Sequence, residues 1–265
     1  MKRLIAITTI TLEFLLVGIQ GVMAEKILHI ALLGDSNTSI GGDLCDQPKG
    51  WTYWFRQAMQ PVEIRSYARS GATWTNTIRT RLDTEEYTEV LSDNNVVYNQ
   101  VMRLKEAIRQ GQSSPDVIII AAGTNDAWFK SKRPGIYSKT VQQSFLSNLR
   151  QIKDNSPLPT SLAESVRFSV ELLIDAFPEA RIILLTPMQT TKASYEETRR
   201  VGDVIEEVAR RMSVPVIRLD FITGIYNNRE ALSPHFTSDG THTSVEGARR
   251  NGKLLAKLVK PLLWE

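Results

Sequence analysis

Cysteine is almost absent from this chain, and histidine is scarce. The 265 residues contain one cysteine, Cys45, and three histidines. One cysteine cannot form an internal disulfide, which excludes a disulfide-stapled scaffold, and a second thiol for a redox pair is lacking. No cluster of His, Cys and Asp has metal-ligand spacing. We therefore expect a passive thiol at Cys45, with pairing to another chain as the minor alternative, and neither a metal nor any other cofactor.

An excess of one charge is also missing. The chain has 32 basic and 29 acidic residues, a formal net charge of +3, and no Lys/Arg run long enough for a nucleic-acid groove. The hydrophobic fraction of 42% and the charged fraction of 23% match soluble globular domains, which excludes a disordered or collagen-like chain. No internal repeat or low-complexity linker divides the sequence. These features predict one domain that does not bind nucleic acid, and they leave its oligomeric state open.

The N-terminus has the pattern of an export signal. Lys2 and Arg3 precede a largely apolar stretch that ends in the small-residue tripeptide VMA at Ala24. A transmembrane anchor is the weaker alternative, because an acidic residue interrupts the apolar stretch and no basic cluster follows it. The sequence therefore predicts a signal peptide at residues 1–24, a domain at 25–265 without stable membrane insertion, and a secreted or periplasmic location.

Short runs rich in Ile, Val and Leu predict five β-strands. Each run is bounded by polar residues, Gly or Pro, as is typical of strands that are covered on both faces. The predicted strands are Lys26–Leu33, Val62–Ala68, Asp116–Ala122, Arg181–Thr186 and Val214–Asp220.

Segments with helical spacing of apolar residues separate these strands. The alternation of strand and helix predicts an α/β fold with a parallel sheet and helices on both faces. The segment 127–159 is the least regular, and we expect it near the functional site. The predicted helices are Trp51–Met59, Val97–Gln110, a helix capped by Ser161 with an apolar stripe from Leu162 to Leu173, Tyr195–Met212 and Val245–Leu258.

Polar motifs follow four of the predicted strands. They read GDSN at 34–37, SGAT at 70–73, GTND at 123–126 and DGTH at 239–242. In open parallel sheets, reactive residues lie beyond the carboxyl ends of the strands. We therefore expect these four motifs to meet at one rim of the sheet.

The first and last motifs contain the residue types of a nucleophilic triad. A serine hydroxyl becomes a good nucleophile when a base removes its proton, and an imidazole can do so near neutral pH. Asp239 precedes His242 by three residues, a spacing that places both side chains on one side of a turn. The carboxylate can then orient the ring. We predict Ser36 as nucleophile, His242 as base and Asp239 as its partner.

The middle motifs provide candidates for an oxyanion hole, the set of donors that stabilises a tetrahedral oxyanion. We predict the backbone N–H groups of Ser36 and Gly71 and the side-chain amide of Asn125 for this role. Glycine at position 71 allows the backbone to approach closely. Trp74 and Trp128 follow these motifs and are candidates for a substrate-binding wall.

Two acidic residues beside the predicted site, Asp35 and Asp126, are expected to hold loop backbone rather than to react. Carboxylates in such turns commonly accept hydrogen bonds from nearby N–H groups.

Together the four motifs resemble those of the SGNH (GDSL-type) hydrolase superfamily, in the same order and over most of the chain. The resemblance implies a flavodoxin-like three-layer α/β/α sandwich with strand order 2-1-3-4-5, an open site, and metal-free ester hydrolysis. Asn37 stands where the strict GDSL pattern has Leu. The nucleophile motif also differs from the G-x-S-x-G elbow of α/β-hydrolases.

The resemblance and the export signal together predict an exported serine esterase. Its expected substrate is a small-molecule or glycan ester with a short acyl group, acetyl above all, cleaved through an acyl-enzyme intermediate. A lipid esterase of the lysophospholipase or thioesterase type is the alternative, although 127–159 lacks a long apolar run. A non-catalytic carbohydrate-binding protein is an alternative of another class. A nucleotide-binding protein is disfavoured because no phosphate-binding glycine motif is present.

Overall fold

A five-stranded parallel sheet forms the centre of the molecule. The computed structural model describes residues 27–85, 90–149 and 157–263. The strand order is β2-β1-β3-β4-β5, as the resemblance implies. The strands are β1 Leu28–Gly34, β2 Val62–Ser66, β3 Val117–Ala121, β4 Arg181–Leu185 and β5 Val216–Ile217.

Helices cover both faces of this sheet and also form its connections. Short 3₁₀ turns occur at Lys130–Lys132 and Lys260–Leu262. The α-helices are α1 Ser36–Ser39, α2 Trp51–Met59, α3 Val97–Arg109, α4 Thr124–Trp128, α5 Val141–Ser144, α6 Leu162–Ala176, α7 Tyr195–Arg211, α8 Leu219–Ile222, α9 Asn227–Leu232 and α10 Val245–Val259.

The alternation of side chains along each strand divides the core into two apolar layers. On β1, Ala31 and Leu33 pack with the apolar stripes of α3, α6 and α7, whereas Ile30 and Leu32 pack with α2 and α10. Successive residues of a strand point to opposite faces, so a run of apolar residues can supply both layers. The predicted three-layer α/β/α architecture is confirmed.

The largest difference from the sequence expectation lies at the end of the fifth strand. Strand β5 covers two residues of the predicted Val214–Asp220, and helix α8 begins at Leu219. The N–H of Leu219 donates to the hydroxyl of Thr186 over 2.9 Å. It is therefore unavailable for pairing with another strand.

Other element boundaries differ from the predictions by one or two residues, with shorter strands at β2, β3 and β4. The signal peptide predicted at 1–24, and the predicted start of the first strand at Lys26, lie outside the described residues.

The single cysteine is buried in the core layer that contains α2. Cys45 has no exposed surface and its thiol is free. Burial raises the pKa of the Cys45 thiol to about 12, so the reactive thiolate is not populated near neutral pH. The thiol is therefore passive in this structure.

Candidate active site

Ser36 lies at the carboxyl end of β1, where it is the first residue of helix α1. Asp35 caps this helix, because its carboxylate accepts a hydrogen bond from the N–H of Asn37 over 3.1 Å. The side-chain amide of Gln100 holds the backbone of Gly34, the residue before Asp35. Its Oε1 accepts a hydrogen bond from the Gly34 N–H over 2.7 Å, and its Nε2 donates to the Gly34 carbonyl over 2.8 Å. These contacts fix the turn that presents the Ser36 hydroxyl.

A continuous chain of hydrogen bonds joins the three predicted triad residues. The Oγ of Ser36 lies 2.9 Å from Nε2 of His242, and Nδ1 of the same ring lies 2.7 Å from Oδ2 of Asp239. Ser36 and His242 are 206 residues apart in sequence, so only the fold brings them together. The arrangement can remove a proton from the serine hydroxyl and stabilise the imidazolium that results.

The Asp239 carboxylate is also held by the backbone of its own loop. Its Oδ1 accepts hydrogen bonds from the N–H groups of Thr241 and His242 over 2.9 and 2.8 Å. Burial would raise the pKa of Asp239, but these bonds and the one to the His242 ring outweigh burial and lower the pKa below its ordinary value. The carboxylate therefore stays ionised beside the imidazole.

Glu230, in α9, anchors the start of this loop and was not singled out in the sequence. It is 2% exposed and accepts three backbone hydrogen bonds, from His235, Phe236 and Thr237, and one from the Thr237 hydroxyl. Burial opposes its charge, but the bonds from Thr237 and the backbone N–H groups lower its pKa. No sequence pattern marks this role, because most of its partners are main-chain groups.

The two further donor residues predicted for the oxyanion hole lie on neighbouring segments, Asn125 on a short helix and Gly71 on a loop. Asn125, in α4, is buried, and its Nδ2 donates to the carbonyl of Ala72 over 2.9 Å. Gly71 has φ of +80°, and a Cβ there would lie 2.8 Å from Cα of Val90. A residue with a side chain would be strained and crowded at this position. The oxyanion role of Ser36, Gly71 and Asn125 stays a prediction.

The neighbouring acidic residues hold loops together, as expected from the sequence. Asp126 accepts hydrogen bonds from the N–H groups of Trp74 and Thr75, each over 2.9 Å, and from the Thr75 hydroxyl over 2.6 Å. Asp35 is buried and bonds to Thr124 as well as to Asn37, and burial raises its pKa to about 6. Asp126 and Asp35 thus link neighbouring loops at the rim of the sheet.

The two tryptophans predicted to form a substrate wall have different positions. Trp74 has no exposed surface and belongs to the core layer with α3, α6 and α7, so the prediction for this residue is wrong. Its backbone is drawn inward by the bond to Asp126. Trp128 is half-buried, stacks on Phe129 with 4.5 Å between ring centroids, and lies under the ammonium of Lys192 at 5.8 Å. Trp128 remains a candidate.

Within residues 27–85, 90–149 and 157–263, no group of three or more His, Cys, Asp or Glu is placed to hold a metal ion. In the same part of the chain, no helix has both the length and the apolar character needed to cross a bilayer.

Comparison with known proteins identifies the family of this chain. Residues 32–250 match the GDSL-like Lipase/Acylhydrolase family. No curated protein matches the chain in sequence.

Among solved structures, a possible lipase from Chitinophaga pinensis is similar with a TM-score of 0.58 and 17% identity, covering 89% of this chain and 98% of that one. A carbohydrate acetylesterase from Sinorhizobium meliloti gives 0.55 and 17%, with coverage of 89% and 99%. An acetyl xylan esterase gives 0.55 and 14%, with coverage of 89% and 100%. At such identities these structures show a shared fold. The family match over residues 32–250, most of the chain, shows that this protein belongs to the GDSL-like lipase/acylhydrolase family and is a hydrolase of ester bonds.

Proposed function

We propose that this protein is an exported serine esterase that removes acetyl and other short acyl groups from carbohydrates through an acyl-enzyme intermediate. The observation that carries the proposal is the chain of contacts from Ser36 through His242 to Asp239, with distances of 2.9 and 2.7 Å. This geometry is that of an activated serine nucleophile.

In the first half of the reaction, the Ser36 Oγ attacks the ester carbonyl while Nε2 of His242 accepts the hydroxyl proton. Asp239 holds the N–H at Nδ1 and balances the positive charge of the imidazolium. The tetrahedral oxyanion is stabilised by donors from Ser36, Gly71 and Asn125. His242 then returns the proton to the leaving alcohol, and the acyl group stays on Ser36 as an ester.

In the second half, a water molecule attacks the acyl-enzyme. His242 takes a proton from this water, and the same donors stabilise the second oxyanion. Collapse of the intermediate releases the carboxylic acid and returns the proton to Ser36. The cycle uses the same groups twice and consumes one water for each ester bond.

Two observations support a short acyl group and a carbohydrate alcohol. The segment 127–159, which we expect near the site, has no long apolar run that could line a tunnel for a fatty chain. The structurally similar proteins include a carbohydrate acetylesterase and an acetyl xylan esterase.

A larger cavity favours the lipid-esterase alternative. It measures about 840 Å³ and combines the apolar residues Ile78, Leu91 and Pro134 with basic side chains. It adjoins the predicted oxyanion loop, because a Cβ at Gly71 would lie 3.1 Å from the backbone nitrogen of Leu91.

A series of p-nitrophenyl esters from two to twelve carbons separates these alternatives. We expect kcat/KM to be highest at two to four carbons and to be unaffected by a chelator. A maximum at eight carbons or more would favour the lipid esterase. In that case Ile78→Asp should lower the rate for long esters selectively. Inactivation by the chelator and rescue by zinc would contradict the metal-free mechanism.

Export is the remaining part of the proposal. It rests on the signal-peptide pattern at residues 1–24, which would leave residues 25–265 as the mature hydrolase domain in the periplasm or outside the cell. Mass spectrometry of the protein recovered from the periplasm or the medium should give Glu25 as the first residue. Retention of an uncleaved chain in the membrane fraction would contradict export.

A further inference from the structure

A cleft of about 720 Å³ lies beside the loop that contains Asp239 and His242. This volume is within the range of about 300–1,000 Å³ that is typical of small-molecule sites. The residues that matter for its chemistry come from two segments, the loop between β4 and α7 and the start of α9. They are Gln189, Thr191, Lys192, Tyr195, Tyr226 and Asn228.

Two direct hydrogen bonds join the cleft segment to the DGTH loop. The N–H of Thr191 donates to the carbonyl of Gly240 over 2.8 Å. The hydroxyls of Thr190 and Thr241 lie 2.6 Å apart. Both partners, Gly240 and Thr241, stand between Asp239 and His242 in sequence. A ligand in the cleft therefore lies beside the loop that contains Asp239 and His242.

The exposed groups of the cleft are aromatic rings and amides. Tyr226 is 55% exposed and Tyr195 is 36% exposed. The Nδ2 of Asn228 donates to the Tyr226 hydroxyl over 3.1 Å, which orients that ring. Gln189 is held by a 3.1 Å bond from its Nε2 to the carbonyl of Asp220. Tyrosine rings offer apolar faces with a polar edge, and amides both donate and accept hydrogen bonds.

The charges of the cleft favour a neutral ligand. Lys192 and Glu196, which have opposite charges, both line it. A polyanion or a polycation would meet one attractive and one repulsive group. Flat apolar faces, amides and balanced charge together suit a neutral ligand with many hydroxyl groups, and this is the chemistry of a sugar chain.

The cleft also reaches toward the loop with the predicted amide donor. The ammonium of Lys192 lies 5.8 Å from the ring centroid of Trp128. Trp128 is in the same short helix as Asn125. The wall of the cleft thus connects the DGTH loop on one side with the GTND loop on the other.

We propose that this cleft is a glycan subsite that holds sugar rings next to the sugar whose acetyl ester is cleaved at Ser36. Its ligand class is a neutral O-acetylated oligosaccharide, and the inference rests on the proposed function. Tyr226 provides the stacking face, and Gln189 and Asn228 provide hydrogen bonds to hydroxyl groups.

The test compares two substrates across three variants. The substrates are a partly acetylated xylo-oligosaccharide of three to six sugars and p-nitrophenyl acetate, which has no sugar. Tyr226→Ala should lower the ratio of kcat/KM for the glycan to kcat/KM for the small ester by about 3- to 10-fold, as loss of one aromatic stacking partner implies. Tyr226→Phe, which keeps the ring, should retain most of the ratio. The matched control is Phe221→Ala, because Phe221 has the same 55% exposure and does not line the cleft.

An unchanged ratio in Tyr226→Ala, or an equal change in Phe221→Ala, would overturn the subsite. Calorimetric binding of the same oligosaccharide to Ser36→Ala, with and without Tyr226→Ala, gives a readout that does not depend on turnover. Binding that weakens with Tyr226→Ala supports the cleft even if p-nitrophenyl acetate is not hydrolysed, an outcome that would refute the proposed function alone. Hydrolysis of the small ester without any glycan binding would overturn the subsite alone.

Discussion

The side-chain amide of Asn125 donates a hydrogen bond to the backbone carbonyl of Ala72 over 2.9 Å. This bond ties helix α4, which follows β3, to the loop after β2, and Asn125 itself is 3% exposed. An amide nitrogen has two hydrogens, so one can hold the loops while the other is available to an oxyanion. One residue can thus have a structural and a chemical role.

Replacement of Asn125 by Ala should separate these roles. Loss of one oxyanion donor typically lowers kcat by about 10²–10³-fold. The effect on KM should be small, because the charge develops in the transition state. The buried Ala72 carbonyl also loses its partner, which should cost about 1–3 kcal/mol of unfolding free energy. Steady-state kinetics and urea denaturation measure the two effects, and a change confined to KM would show that Asn125 binds substrate instead.

Replacement of Ser36 by Ala should abolish ester hydrolysis without unfolding the protein, because the hydroxyl is the reacting group. A fluorophosphonate should label the wild-type protein at Ser36, as identified by peptide mass spectrometry. Ser39→Ala is the matched control, since Ser39 is in the same short helix and its hydroxyl contacts the Ser36 carbonyl at 3.4 Å. Labelling of Ser39, or activity that survives in Ser36→Ala, would refute the assignment.

Replacements of His242 and of Asp239 should differ in their effects on activity and on its pH dependence. The rate should decline on the acid side because a protonated imidazole cannot accept the Ser36 proton, whereas the lowered pKa of Asp239 keeps that carboxylate ionised. His242→Ala should lower kcat by about 10⁴-fold or more and remove this acid limb. Asp239→Asn should lower kcat less than His242→Ala does, because other groups can meet part of its role in orienting the imidazole. An acid limb that persists in His242→Ala would assign it to another group.

Asp35 should make the folded protein less stable as the pH rises. Its pKa is raised to about 6 by burial, whereas an unfolded Asp has a pKa of about 3.9. The folded state therefore binds more protons between these values, and stability falls as the pH increases through that window. Asp35→Asn should remove this decline in unfolding free energy, which amounts to about 3 kcal/mol at pH 7. Urea denaturation from pH 4 to 8 tests it, and an identical pH dependence in both proteins would disprove it.

Glu230 should have the opposite effect on the pH dependence of folding stability. Its pKa is lowered, so its contribution to stability is present above the unfolded value of about 4.3 and is lost as the pH falls through the folded pKa. Glu230→Gln should lower the unfolding free energy at pH 7 by about 1.5–3 kcal/mol, because charge-assisted hydrogen bonds are lost. It should also lower kcat more than it raises KM, since the loop bearing Asp239 loosens.

The control for this prediction is Glu246→Gln, in the exposed first turn of α10. Glu246 is bound to Arg249 at the surface, and its replacement should leave kcat unchanged. Equal loss of activity in both variants would mean that Glu230 does not position the loop.

The layered fold and the residues of the four site motifs could be predicted from the sequence. Apolar runs separated by helical stripes predict a parallel sheet, because each pattern can bury its apolar side chains in only one geometry. The motifs that contain Ser36 and Asn125 each follow a strand, and parallel strands end at a common rim. Asp239 and His242 are close in sequence, so their pairing could be predicted from a local turn.

Contacts between segments that are distant in sequence could not be predicted and became visible in the folded structure. Trp74 follows the SGAT motif as a rim residue would, but its side chain packs in the core and its backbone N–H donates to Asp126. Glu230 leaves no trace in sequence, because its bonds are mainly to backbone N–H groups that every residue has. The cleft at Tyr226 requires α9 to lie beside the loop after β4, and the spacing of apolar residues in the sequence does not predict such a contact. Local patterns encode burial and turns, whereas the packing of one loop against another depends on the whole chain.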